Sequence, residues 1–263
     1  MKKLFRNLLP GKIYQLLKIA YRSINPQKRI TNEDSLEFNE KLLQKYGMDI
    51  EKIKLALKVG GQNYNNNSLS WHYHLFAGMG HIFKQKNDSI KNVLEIGTAD
   101  GSFTNFISKV YPDAEIFTID LPSDDKIFNS TYGREKDKFK EIFLNSRKEN
   151  ISASNINFIE MDSTKLLNKF KDKIFDLVWI DGDHHNPQVT IDIMNTLHLL
   201  NKNSVVCVDD IVMEQYRTDY VSNESFLTLK KLEQNKILNN NFVIKKTYAN
   251  QKTIKYVSFS SIL

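Results

Sequence analysis

Beyond residue 91, short apolar runs rich in β-branched and aromatic residues recur along the chain, at residues 92–96, 115–119, 157–161, 175–180 and 204–208. Between them the apolar positions change period. Phe103, Phe106, Ile107 and Val110 follow one another as the buried face of a helix does. Nearly continuous apolar strands alternating with amphipathic helices predict a parallel sheet covered on both faces. Asn186 and Pro187 suit the cap and first turn of the helix after the fourth strand. Two further runs, residues 242–247 and 253–259, flank a short turn at 248–252 and should pair antiparallel. The expected fold is α/β and doubly wound: a seven-stranded, mostly parallel sheet closed by a C-terminal antiparallel hairpin.

Residues 1–88 carry a different pattern and are expected to form an N-terminal basic, amphipathic and helical segment ahead of a domain spanning 89–263. Leu36, Phe38, Leu42 and Leu43, then Ile53, Leu55 and Leu57, lie on apolar stripes. Asn65, Asn66, Asn67 and Ser68 have no core-forming potential and read as a loop. A helix rich in aromatic residues and histidine follows, with Trp71, His72, Tyr73, His74, Phe76 and His81. The segment could serve as an oligomerisation surface or a lid over an acceptor. Residues 1–30 place Leu4, Phe5, Leu8, Leu9, Ile13, Leu16, Leu17, Ala20 and Ile24 among cations, with Pro10 and Gly11 breaking the run. Two short amphipathic helices are expected there. Docking on the chain's own domain is the plainest use for such a face, and peripheral contact with an anionic membrane or a partner subunit are the others.

Charge narrows the choice of partners. Of the 37 cations, eight lie within residues 1–30, which contain no acid, so the remaining 29 face 31 acids. The body is slightly acidic despite a net charge of +6, and no nucleic-acid partner is expected for it. A hydrophobic content of 41% is ordinary for a soluble chain, and no apolar stretch is long enough to span a bilayer. The single cysteine, Cys207, sits in an apolar run as a buried thiol would. These features point to a reducing, cytoplasmic setting.

The candidate chemistry begins where the first strand ends. Val93-Leu-Glu-Ile-Gly-Thr-Ala-Asp-Gly101 places glycines where strand becomes helix, so the backbone can approach a ligand beside the helix's positive end. The full G-x-G-x-x-G spacing is missing, and Glu95 would sit poorly beside a pyrophosphate, which disfavours a nicotinamide dehydrogenase. Glu95-x-Gly97-x-Ala99-x-Gly101 instead resembles the first motif of the class I S-adenosylmethionine-dependent methyltransferases, with Ala99 in place of the middle glycine. Asp120, ending the second strand, falls where that family's acid meets the ribose hydroxyls, and Asp162 and Ser163 resemble its adenine-facing pair. The resemblance covers residues 91–260 and implies a Rossmann-like methyltransferase fold. It also implies a cofactor set of Glu95, Gly97, Thr98, Gly101, Ser102, Asp120, Leu121, Asp162, Ser163 and Asp181.

A second constellation follows strands four and five: Trp179-Ile-Asp181-Gly-Asp183-His184-His185, and Val208-Asp209-Asp210. Carboxyl ends of adjacent parallel strands meet at the ligand crevice, so Asp181, Asp209 and Asp210 are expected to gather there and to hold Mg²⁺. Methyl transfer to a hydroxyl needs a base for one proton; His184 is the candidate, with His185 and Asp183 as competitors. The arrangement is similar to the metal-dependent O-methyltransferases, and the Asp-Gly-Asp-His string is closest to the macrocin-type sugar enzymes. That resemblance implies a sugar or nucleotide-sugar acceptor, as in polysaccharide tailoring. A phenol or catechol acceptor and a non-catalytic cofactor-binding scaffold are the alternatives. The Asn/Asp-Pro-Pro-aromatic string of nucleobase amine methyltransferases is missing. Trp71, His72 and His74 either line an acceptor pocket or form a packed aromatic face, and a homo-oligomer is possible.

Overall fold

The computed structural model describes residues 32–65, 69–86, 88–131, 134–213, 222–246 and 254–263. The amphipathic arm at 1–30, most of the asparagine-rich loop and the hairpin turn at 248–252 lie outside the described residues. Three helices come first: α1 (Asn32–Lys45), α2 (Ile50–Val59) and α3 (Trp71–Gln85). Asp49 caps α2, accepting from the Glu51 and Lys52 amides at 2.9 and 3.4 Å.

The alternating region follows: β1 (Asn92–Ile96), α4 (Ser102–Val110), β2 (Glu115–Asp120), α5 (Lys126–Ser130), α6 (Asp137–Asn150), β3 (Ile156–Glu160), α7 (Leu166–Lys169), β4 (Leu177–Ile180), α8 (Gln188–Leu197), β5 (Val205–Ile211) and α9 (Glu224–Gln234). Strands β6 (Leu238–Lys246) and β7 (Lys255–Ile262) complete a seven-stranded sheet in the order β3-β2-β1-β4-β5-β7-β6. The first five strands pair in parallel, and β7 runs antiparallel to both β5 and β6. From β1 the chain builds outward to β2 and β3, then returns to β4 on the other side. The switch point therefore falls between β1 and β4, where open α/β sheets leave a crevice at their strand ends.

Alternate residues along each central strand enter different cores, which is what makes both faces apolar. Val93, Leu177, Trp179, Val205 and Cys207 pack with Leu43, Ile53, Leu57, Leu75, Phe76 and Phe106 beneath the N-terminal helices and α4. Leu94, Val178, Ile180, Val206 and Val208 pack with Leu166, Val189, Ile193 and Leu229 on the opposite face. The N-terminal helices thus share one core with the sheet. They also reach its rim: Asn39 of α1 is fully buried, accepts from the Ile244 amide at 2.8 Å and donates to the Ile244 carbonyl at 2.9 Å. No helix among the described residues is long and apolar enough to cross a membrane.

The strand bounds differ from expectation in two informative places. β6 begins at Leu238, four residues early, because Asn239, Asn240 and Asn241 pair with β7 although their type disfavours strands. Tertiary bonds hold them: Asn240 Nδ2 donates to Leu229 O at 2.8 Å, and its Oδ1 accepts from the Ser260 hydroxyl at 2.7 Å. β5 continues through a bulge to Ile211, with Asp210 at φ 50°. The Asn186 side chain does not cap α8; it accepts from the Thr190 hydroxyl at 2.6 Å, and the helix starts one residue after Pro187.

Candidate functional site

The turn after β1 is latched to the end of β2. The Gly97 and Thr98 amides donate to Ile119 O at 2.9 and 3.2 Å, and the Ala99 amide donates to Asp120 Oδ2 at 3.0 Å. Gly97 and Gly101 take φ of 100° and 76°, and Ala99 takes 49°. At Gly97 an added Cβ would lie 2.3 Å from the Asp181 carbonyl oxygen, so the ends of β1 and β4 touch through backbone alone. Gly101 opens α4 without a side-chain cap, which turns the helix's positive end toward the turn. Ser102 is exposed there, its amide donating to Asp100 at 3.1 Å.

Two expected site residues lie under this turn. Glu95 is 1% exposed, and its Oε2 accepts from Thr104 at 2.5 Å and Thr118 at 2.6 Å. Thr118 also bonds Thr98 at 2.6 Å, forming a buried chain from Thr98 to the carboxylate. The Thr98 side chain therefore faces the interior, and a ligand at the turn would meet its backbone. Burial pushes the Glu95 carboxyl up to about 7, against the pull of the two threonines. A raised acid has stability fully present below its unfolded value of 4.5 and lost as pH rises through about 7. Glu95→Gln keeps the acceptor oxygen without the charge. Denaturant titrations at pH 5 and pH 8.5 should show wild type losing on the order of 3 kcal/mol relative to the variant between these two conditions.

Asp120 lies at the mouth of the turn, its Oδ1 accepting from the Leu121 amide at 2.8 Å. Its Oδ2 accepts from Arg147 at 2.6 Å, and Arg147 Nε donates to Ala99 O at 2.7 Å. Burial nevertheless raises the Asp120 carboxyl, Arg147 opposing. Arg147 is 3% exposed, and its Nη1 has no hydrogen-bond partner among the described residues. Nothing in the polar stretch of α6 distinguishes it from a surface arginine, so the sequence pattern gives no sign of it. Asp162, two residues beyond β3, caps a short 3-10 turn through the Thr164 amide at 2.8 Å. The Ser163 hydroxyl accepts from Gln188 at 2.7 Å, and Gln188 also donates to the buried Asp192, whose carboxyl burial lifts to about 6.

Across the switch point, the structure brings Asp181, His184, Asp209 and Asp210 together at the ends of β4 and β5. His184 Nε2 lies 3.6 Å from Asp181 Oδ1 and 3.9 Å from Asp210 Oδ2. Burial lowers the His184 pKa, against the pull of Asp210 and Asp209, so the ring is neutral at neutral pH. Its competitors are engaged in a local turn, where Asp183 Oδ1 accepts from the His185 amide at 2.9 Å and lies 3.0 Å from its ring.

The expected Mg²⁺ set of Asp181, Asp209 and Asp210 needs correction. Lys245 of β6 reaches across β7 to bond Asp209 Oδ2, and bonds Asp210 Oδ1 at 2.7 Å; Lys255 of β7 bonds Asp210 Oδ2. Burial works against the Lys245 ammonium, but Asp209, Asp210 and Asp181 outweigh it and hold it above the usual range. Asp209 shows the converse: burial is overcome by Lys245, His72 and His184, which hold its carboxyl below the usual range. Burial and Asp209 push Asp181 well up. Among the described residues no group of three acidic, histidine or cysteine side chains is disposed to hold a metal ion. Three of the six carboxylate oxygens, Asp209 Oδ2 and both of Asp210, are bonded to ammonium groups, and a divalent ion would have to share the cluster with those charges, so the donor set as it stands does not fit one.

The aromatic helix is chiefly a packed face. His74 stacks on Trp71 at 4.3 Å and is buried. His72 is the exception, lying 5.3 Å from Trp179 and 4.6 Å from Phe103, with the Asp209 charge acting on it. Burial lowers its pKa to about 3.

Residues 94–211, from the first strand to the end of the carboxylate cluster, match the model of a family described as a methyltransferase domain. Over these residues the chain carries a methyltransferase domain. No curated protein matches it. Among solved structures, it is similar to a Staphylococcus aureus protein proposed to be a caffeoyl-CoA O-methyltransferase, at 16% identity and a TM-score of 0.51, covering 86% of this chain and 98% of the other. A proposed O-methyltransferase from Klebsiella pneumoniae is similar at 13% identity and a TM-score of 0.53, with 86% and 96% covered. The O-methyltransferase TomG of Streptomyces achromogenes, involved in tomaymycin synthesis and solved with S-adenosylmethionine, matches at 15% identity and a TM-score of 0.51, with 87% and 95% covered. At these identities the likeness is one of fold, which this chain shares with them.

Proposed function

We propose that this methyltransferase methylates a hydroxyl oxygen of a small acceptor, with a sugar or nucleotide sugar as the first candidate. The observation that carries the reading is the place of His184, whose ring lies beside Asp181 and Asp210 at the strand ends, where burial favours its neutral form. In this reading the cofactor lies along the turn: Asp120 and Leu121 at the ribose, Asp162 and Ser163 at the adenine, and residues 97–102 with Asp181 at the methionine end. The side-chain-free surface at Gly97 and the uncapped start of α4 suit such a ligand. The bound sulfonium supplies the methyl group and leaves as a neutral thioether. What remains for the protein is alignment and one proton: the acceptor oxygen forms its bond to carbon as its proton passes to His184. Metal assistance, implied by the resemblance to the macrocin-type enzymes, is not assigned a step, because ammonium groups bond Asp209 and Asp210.

The sugar assignment rests on the Asp-Gly-Asp-His string alone. A phenolic hydroxyl is the second reading, favoured by the rings of His72, Phe103 and Trp179 near the acids. A cytoplasmic enzyme without a nucleic-acid partner, able to form a homo-oligomer, completes the proposal. The test is calorimetric titration with S-adenosylhomocysteine, followed by a methyl-transfer screen over nucleotide sugars and simple phenols. Cofactor binding with transfer to one class names the acceptor. Well-folded protein that binds no S-adenosylhomocysteine overturns the reading.

A further inference from the structure

The carboxylates at the end of β5 already have counter-charges, supplied by two strands that follow them in the chain. Asp209 is 1% exposed and cannot shed its charge into water. Asp210 is turned by its φ of 50° within the bulge, and its two oxygens receive Lys245 and Lys255 separately. One ammonium, Lys245, bridges Asp209 and Asp210 as a coordinated cation would. Asp181 and His184 border the same cluster.

We propose that the Lys245 ammonium is the resident cation of this acceptor site, in place of a divalent metal, and that methyl transfer by this chain is metal-independent. The proposal rests on the reading of these strand ends as the acceptor site. An ammonium has three N–H donors, and Asp209 and Asp210 take two, leaving one for an acceptor oxygen. A donor fixed before the acceptor arrives stabilises the negative charge that grows on oxygen as its proton leaves for His184, without reorganising during the reaction. Lys255 acts one step removed, holding the far side of Asp210 and so positioning the carboxylate that anchors Lys245. A divalent ion entering the cluster would have to displace both ammonium groups or lie against their like charge.

The test titrates the full chain with Mn²⁺, followed by electron paramagnetic resonance. The wild-type protein is expected to show no saturable Mn²⁺ site, and a chelator should leave its transfer rate unchanged. Lys245→Met combined with Lys255→Met uncovers the carboxylates and should create one saturable site. Lys245→Met alone should lower kcat by ~100-fold, with binding of S-adenosylhomocysteine retained as the check on folding. Lys245→Arg keeps the charge and should recover part of that loss while binding no Mn²⁺. One Mn²⁺ per wild-type chain, abolished by Asp209→Asn with Asp210→Asn, overturns the proposal; so does chelator-sensitive transfer. The Mn²⁺ titration needs neither cofactor nor acceptor, so it decides the identity of the cation even if calorimetry disproves the cofactor site.

Discussion

Gly97→Ala should abolish S-adenosylhomocysteine binding in calorimetry and lower folding stability by about 3 kcal/mol or more in denaturant titration. The obstacle is backbone on both sides. An added methyl would meet the Asp181 carbonyl oxygen at 2.3 Å, its carbon at 2.7 Å and the Gly182 nitrogen at 3.0 Å. A side chain in those places would swing aside, but these atoms belong to the chain leaving β4, which the Asp181 amide ties to Ile96 O at 2.8 Å. Relief requires parting the ends of β1 and β4, the two strands that border the crevice. Gly97 also sits at φ 100°, where an L-residue is strained whatever the space. Gly61 separates the two costs: its φ is 79° but nothing lies within 4 Å of an added Cβ. Gly61→Ala should therefore cost only the conformational term, about 1 kcal/mol, and leave binding intact. Equal losses at both glycines would refute the close-approach argument.

His184→Gln should lower kcat by ~10²- to 10⁴-fold while S-adenosylhomocysteine binds as before. His184 lies among the acids rather than on the glycine turn, so its loss falls on proton removal. The pH profile adds a signature that a structural role would not. The base must be neutral, and burial has moved its protonation below the ordinary histidine value of 6.5. Wild-type kcat/KM should stay level through neutral pH and fall only as the pH drops beneath that value, and the variant should lack this acid limb. His185→Gln, in the loop turn with Asp183, should keep the rate within about threefold. A full-rate His184→Gln enzyme would transfer the role of base elsewhere in the cluster.

Much of this architecture is legible because parallel strands covered on both faces must be apolar throughout, so each stands out as an apolar run of ordinary strand length. The asparagines at 239–241 stay hidden because their strand character comes from Leu229 and Ser260, bonds that local propensity does not encode. In the site, the glycine turn, Asp120, Asp181, His184, Asp209 and Asp210 are readable, since loops at strand ends keep their chemistry in short strings. Their partners are not. Arg147 reaches Asp120 from 27 residues away and Lys245 reaches Asp209 from 36, and no short string records such pairings. A signal does exist for Lys245. It shares the face of β6 with Val243, which is fully buried, and a lysine at a buried strand position calls for an acid. Without that clue, three clustered carboxylates read as a magnesium site, although lysines of the hairpin bond two of the three.

The pairing of Asn39 with Ile244 bears on how the protein stays dispersed. β6 ends the sheet, and an outer strand offers unpaired amides and carbonyls to any other strand that meets it. The carboxamide of Asn39 answers one such residue with a donor and an acceptor together, as a neighbouring strand would. The helices before residue 88 therefore act as a guard on the open side of the sheet. A shortened chain beginning at residue 89 would lose that guard together with the apolar side chains that these helices bury against the sheet, and the uncovered face and border would both invite pairing with its own copies.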